Sequence, residues 1–185
     1  KKEYVFDNGS MRAVINTATG LMDSYQVNGE EYIKPGSFQL TAYDDTYNSW
    51  GLRTPESCGE RNLTLLTPHE GSAFSGLADK VVPSVKVIED GPVRTVVESL
   101  FGWHESKAYQ RYMLPKKGTA FEIETGVYWN EKDTFLKLHI QSAYESGDYL
   151  GQVMFAREKL RQENQEVTAQ KWNAFVNEDK ALAVI

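Results

Sequence analysis

The chain has 185 residues, 41% hydrophobic and 25% charged, which are ordinary proportions for a globular protein long enough to bury a core. Its formal net charge is −6 and its basic residues are scattered, which argues against nucleic-acid binding through a concentrated basic face. No apolar run reaches the roughly 18–20 residues that span a bilayer, so no membrane partner is expected.

No secretory leader pattern opens the chain. The single cysteine, Cys58, rules out an intrachain disulfide and a cysteine-based metal cluster, and suits a reducing compartment. Cytoplasmic residence is therefore expected. Two glycosylation triplets begin at Asn8 and Asn62, a pattern that is common by chance. No Met opens the chain, and residues 181–185 read as a strand stopping in mid-course, so an excised piece of a longer protein is expected.

In chain order, residues 3–15 predict two short strands around Asp7-Asn8-Gly9, since Asn-Gly accepts the positive φ of a tight turn. Residues 16–20 predict another turn, 21–27 a strand, and Asn28-Gly29 a turn into 31–33. Together these predict an all-β meander. Residues 38–43 predict a further strand. From Asp44 to about Pro83 the chain is irregular, and long loops with one or two short strands, such as 63–66, are expected there. Loops of that length are usually functional or form an interface.

Strands are predicted at 81–88, 93–101 and 108–114, separated by turn residues at the spacing of a sandwich or barrel. Next comes the most regular stretch. Phe121, Ile123, Val127 and Trp129 alternate with Glu122, Glu124 and Tyr128, and Leu136, Leu138 and Ile140 alternate with Lys137 and His139. Polar residues 130–133 lie between, which predicts a β-hairpin. Residues 153–155 predict a strand. Residues 156–166 carry only one good apolar anchor, Leu160, and predict an exposed connection with a turn of helix. Residues 171–176 and 181–185 predict closing strands.

Chemistry is not self-evident. His69, His104 and His139 are isolated from one another, and phosphate-loop and nucleophile-elbow motifs are absent. Glycoside hydrolysis needs two carboxylates at a set separation. Glu122 and Glu124 read as the solvated face of a strand. Asp44 and Asp45 lie at a strand end with Tyr43, Tyr47 and Trp50 nearby, an arrangement suited to sugar hydroxyls and ring faces and equally to a capped loop. Aromatics make up 12% of the chain, which sheet propensity explains as readily as sugar stacking.

Several segments, in order, resemble glycoside hydrolase family 38, the α-mannosidases, in the region downstream of the catalytic domain. They are Tyr4-Val-Phe-Asp-Asn-Gly-Ser-Met-Arg12, Thr19-Gly-Leu-Met-Asp-Ser24, Glu89-Asp-Gly-Pro-Val-Arg94 and Tyr109-Gln-Arg-Tyr-Met-Leu114. Trp129, Glu131, Lys132, Leu136 and Lys137 continue the series, followed by Phe155-Ala-Arg157 and Gln170-Lys-Trp172. Ala156 and Gln170 depart from the usual Gly and the frequent acidic or His residue.

The resemblance implies an all-β, twisted antiparallel two-sheet β-sandwich like that of galactose mutarotase, filling residues 1–185 as one domain truncated at its C-terminus. It implies a parent enzyme that removes α-linked mannose from oligosaccharides with retention. The nucleophile and a divalent metal, usually zinc, would lie in an N-terminal catalytic domain of the same polypeptide. No catalytic or metal residue carries over to this chain. Tyr43, Asp44, Asp45 and Trp50 are the candidate substrate-binding residues. The alternative is a stand-alone carbohydrate-binding or structural sandwich. A self-sufficient mutarotase-like epimerase would need His104, His139 and Glu124 to converge.

Overall fold

The computed structural model describes residues 2–45, 59–77, 79–160 and 167–185. The first sheet is a four-stranded meander of β1 (Glu3–Asp7), β2 (Met11–Asn16), β3 (Met22–Val27) and β4 (Glu30–Glu31), as the Asn-Gly turns predict. Gly9 and Gly29 take φ of +87° and +83° at two of those turns. Asn8 fastens the first turn: its Oδ1 accepts from the Ser10 and Met11 amides, and its Nδ2 donates to the Pro115 and Gly118 carbonyls.

Next come β5 (Gln39–Asp44), β6 (Glu60–Asn62) and β7 (Thr64–Leu65), then a helix, α1 (Pro68–Phe74). The helix was not expected. Its signal lies in Thr67-Pro-His-Glu70, where Thr67 and Glu70 cap each other reciprocally and Pro68 opens the first turn. The chain continues through β8 (Val85–Asp90), β9 (Arg94–Trp103), β10 (Ser106–Pro115), β11 (Glu122–Tyr128) and β12 (Thr134–His139). It closes with β13 (Asp148–Val153), β14 (Ala156–Lys159), β15 (Asn173–Asn177) and β16 (Lys180–Val184).

Among the described residues every strand pair is antiparallel. One layer of the sandwich is the sheet β11-β10-β9-β7, with β8 sharing the β7 edge of β9. Facing it are the first sheet and a three-stranded sheet, β12-β5-β6, joined by the bridge between Met22 and Ser37. Two apolar clusters fill the space between the layers. Met11, Ile15, Met22 and Phe38 meet Val97, Tyr112 and Leu114 in one. Leu21, Leu40, Ala42 and Leu63 meet Phe101 and Ala108 in the other.

A polar seam ties the layers where the clusters meet. Buried Gln110 donates to the Phe38 carbonyl and accepts from the Tyr112 hydroxyl, which also lies 3.1 Å from the Gly20 carbonyl. Gly20 is required there. Its φ is +76°, and a Cβ would press on Leu65 and Phe101. The last sheet, β14-β13-β15-β16, meets the rest through Leu182, through the Tyr144–Phe175 stack and through the Lys180–Glu30 ion pair at 2.6 Å.

The predicted hairpin across residues 130–133 does not form. β11 pairs with β10 and β12 pairs with β5, in different sheets. The polar corner bonds away from itself: Glu131 accepts from the Ser106 hydroxyl and the Glu105 amide, and the Asn130 amide donates to Ser106. The Asp45 amide then donates to the Asp133 carbonyl at 2.7 Å, which starts β12 along β5. Alternation set both strands correctly but could not say that their partners lie elsewhere.

The tail also differs. The strand expected at 153–155 is the end of β13 and a turn, while 156–159 is a strand rather than part of a connection with a turn of helix. Ladder bonding to β13 supplies what the segment's weak apolar content does not. The remainder of that connection, 161–166, lies outside the described residues. Among the described residues no helix is long and apolar enough to cross a membrane.

Candidate functional site

Alternation along β5 sends Leu40 and Ala42 into the second apolar cluster and puts Thr41 and Tyr43 on the opposite face of the three-stranded sheet. Register fills that face from both sides. Tyr43 lies opposite Phe135 on β12 and Glu60 on β6, and Thr41 lies opposite Lys137 and Asn62. The Tyr43 ring runs nearly parallel to Phe135 (centroids 5.5 Å apart, 19°) and to His139 (5.8 Å, 15°). Its hydroxyl is 2.8 Å from His139 Nε2. Lys137 Nζ sits 5.2 Å and 5.3 Å from the Tyr43 and Phe135 ring centres, within cation–π range. Thr41 donates to Asn62 at 2.8 Å.

Burial pushes His139 below the ordinary imidazole value, a tendency that the Glu60 charge opposes and the Lys137 charge reinforces. A neutral imidazole keeps one bare nitrogen, so Nε2 is able to accept from the Tyr43 hydroxyl. The result is a row of aligned rings edged by a cation, an imidazole, an amide and a carboxylate. Tyr43 is itself buried between its stacked neighbours, so what this face offers outward is its polar edge, including the exposed Glu60 and Asn62, which can hydrogen-bond hydroxyl groups.

Of the residues singled out from sequence, Tyr43 is at the centre of this face and is buried. Asp44 is held by Arg61 through contacts of 2.5 Å and 3.3 Å, and the guanidinium hydrogen bond keeps its carboxyl below the usual range. An ion-paired carboxylate is a poor acid and a poor nucleophile. Asp45 contributes the backbone bond to Asp133. Trp50 lies outside the described residues, as do Tyr47 and Cys58.

Phe135, Lys137, His139, Glu60 and Asn62 were not recognised from sequence as companions of Tyr43. Their one signal was the polar alternation of Lys137 and His139, which does not name a partner strand.

The epimerase combination is not assembled. His104 sits in the β9–β10 turn, stacked on Trp103 and 3.7 Å from Glu131. Glu124 bonds to Tyr109 and Arg111 on the five-stranded sheet, while His139 belongs to the three-stranded one. Among the described residues no group of three His, Cys, Asp or Glu is placed to hold a metal ion.

A family model described as the Glycosyl hydrolases family 38 C-terminal domain matches residues 6–185. The chain belongs to that family. No curated protein is matched by the chain. A family 38 C-terminal domain implies a catalytic domain in the same polypeptide, and the β-sandwich described above is this domain's architecture. Family 38 membership thus makes the chain part of a glycoside hydrolase.

Proposed function

We propose that this domain supports a metal-dependent, retaining α-mannosidase acting on terminal α-linked mannose, without itself breaking the glycosidic bond. The metal, zinc or another divalent ion, and the catalytic carboxylates belong to the catalytic domain in this reading. In a retaining mechanism two carboxyl groups act on the bond while other groups hold the sugar in place. The face around Tyr43 is the part of this domain that would meet the catalytic domain and the mannoside. The observation that carries the reading is the match of residues 6–185 to the family 38 C-terminal domain, and the row of Phe135, Tyr43 and His139 beside Lys137 picks out the face.

The same reading keeps the enzyme in the cytoplasm. Cys58 is the single cysteine, and Asn8, in one of the two glycosylation triplets, has its amide committed to four hydrogen bonds. Hydrolysis of an aryl α-mannoside, measured for the full-length enzyme and for this chain with and without a chelator, tests the assignment. An active, chelator-sensitive enzyme and an inert isolated chain are expected. Single replacements Tyr43→Ala, His139→Ala, Asp45→Ala and Trp50→Ala in the full-length enzyme should lower kcat/KM about tenfold or more at one position at least, equivalent to about 1.4 kcal/mol. Four variants with unchanged kcat/KM would remove this face from the substrate site.

A further inference from the structure

The turn joining β13 to β14 breaks two local rules at once. Val153 and Ala156 face each other in register, so Met154 and Phe155 form a two-residue hairpin loop. Such loops favour Asn, Asp or Gly because their residues take positive φ. Here Phe155 has φ +60°. Of the other non-glycine residues with positive φ, Asn28, His104, Asp133 and Glu178 are polar, and Phe38, at +70°, is buried in the first apolar cluster. Phe155 is also fully exposed, at 101%, and Met154 is 72% exposed. The backbone is strained to hold an aromatic ring out in water, and neither departure is compensated among the described residues.

We propose that Met154 and Phe155 form an anchor that seats this domain in an apolar cleft of the catalytic domain of the same polypeptide. Size selects that occupant over a second copy or an independent protein. A protruding Phe buries roughly 150–250 Å², and with one Met beside it the contact stays well below the about 800 Å² per partner of a stable association between separate molecules. A covalently connected domain is held at an effective concentration on the order of millimolar, so a small contact suffices. The short loop presents the ring on two paired strands, which limits the freedom lost on docking. The choice of occupant rests on family membership, and the proposal holds or fails independently of the mannosidase reading.

The test uses the full-length enzyme with Cys58→Ser and Phe155→Cys, following maleimide labelling at position 155 by peptide mass. Labelling of the native enzyme is expected to run about tenfold slower than labelling of the guanidinium-unfolded enzyme, as for a site closed most of the time. A native rate equal to the unfolded rate overturns the proposal. Protection that fades on dilution assigns the tip to a second copy and also overturns it. Because a cysteine could itself disturb the seat, Phe155→Asp and Phe155→Leu give a second readout. The aspartate variant should be cleaved faster by protease between the two domains, and the leucine variant should match the parent. Equal cleavage of all three proteins rejects the anchor.

Discussion

The bond between the Tyr43 hydroxyl and His139 Nε2 joins residues 96 positions apart. Since burial lowers the His139 pKa, the folded chain binds fewer protons here than the unfolded chain. The associated stability is therefore fully present above the unfolded imidazole value, about 6.5, and is lost as pH falls through the folded value. Tyr43→Phe removes a donor to the neutral ring and should move the His139 titration upward, toward about 6.5. An NMR titration of the ring protons reads this directly. An unchanged midpoint in Tyr43→Phe would mean that the hydroxyl is not donating to His139.

Elements show how local chemistry and packing divide the work. α1 has only seven residues, too few to persist by propensity. It survives through its capping box and by laying Gly71 against Ser84 and Leu100 on the outer face of β9. Thr67→Ala should lower the unfolding free energy by about 1 kcal/mol, the usual loss for an N-cap hydroxyl. A urea titration of the variant checks it, and an unchanged midpoint would show that packing alone holds the helix. Across the same outer face, Lys86, Glu98, Arg111 and Glu124 stand in register on four neighbouring strands with alternating charge. Tyr109 folds over Gly126, the residue opposite it on β11, and reaches Glu124 at 2.8 Å. An aromatic laid over a strand glycine restores packing that the missing side chain leaves open.

At the scale of the whole molecule, acid stability should trace partly to Glu98, which is only 7% exposed. Burial alone would raise its pKa, but hydrogen bonds and charge from Lys86 and Arg111, each at 2.9 Å, outweigh it and lower the value. A depressed carboxylate contributes stability above the unfolded value of about 4.3 and loses it as pH falls through the folded one. Glu98→Gln should therefore be less stable than the parent near neutral pH, with the gap narrowing below about pH 4. Urea midpoints measured from pH 3 to 7 decide this, and a gap independent of pH would assign the loss to packing.

Much of this architecture was legible in the amino-acid sequence. The period of two in β10 and β11, the Asn-Gly turns of the first sheet and the turn spacing through β8, β9 and β10 follow from local sterics and from which side of a strand is apolar. Even α1 carried its capping signature in Thr67 and Glu70. Those properties reside in neighbouring residues, so the sequence by itself determined an all-β antiparallel chain and most of its strands. Partner choice is different. Whether residues 130–133 turn β12 back onto β11 or hand it across to β5 depends on Ser106, Glu105 and Asp45, which are distant in sequence. Alternation says which face of a strand is buried but not which strand lies beside it, so only the tertiary structure brought His139 and Lys137 to Tyr43.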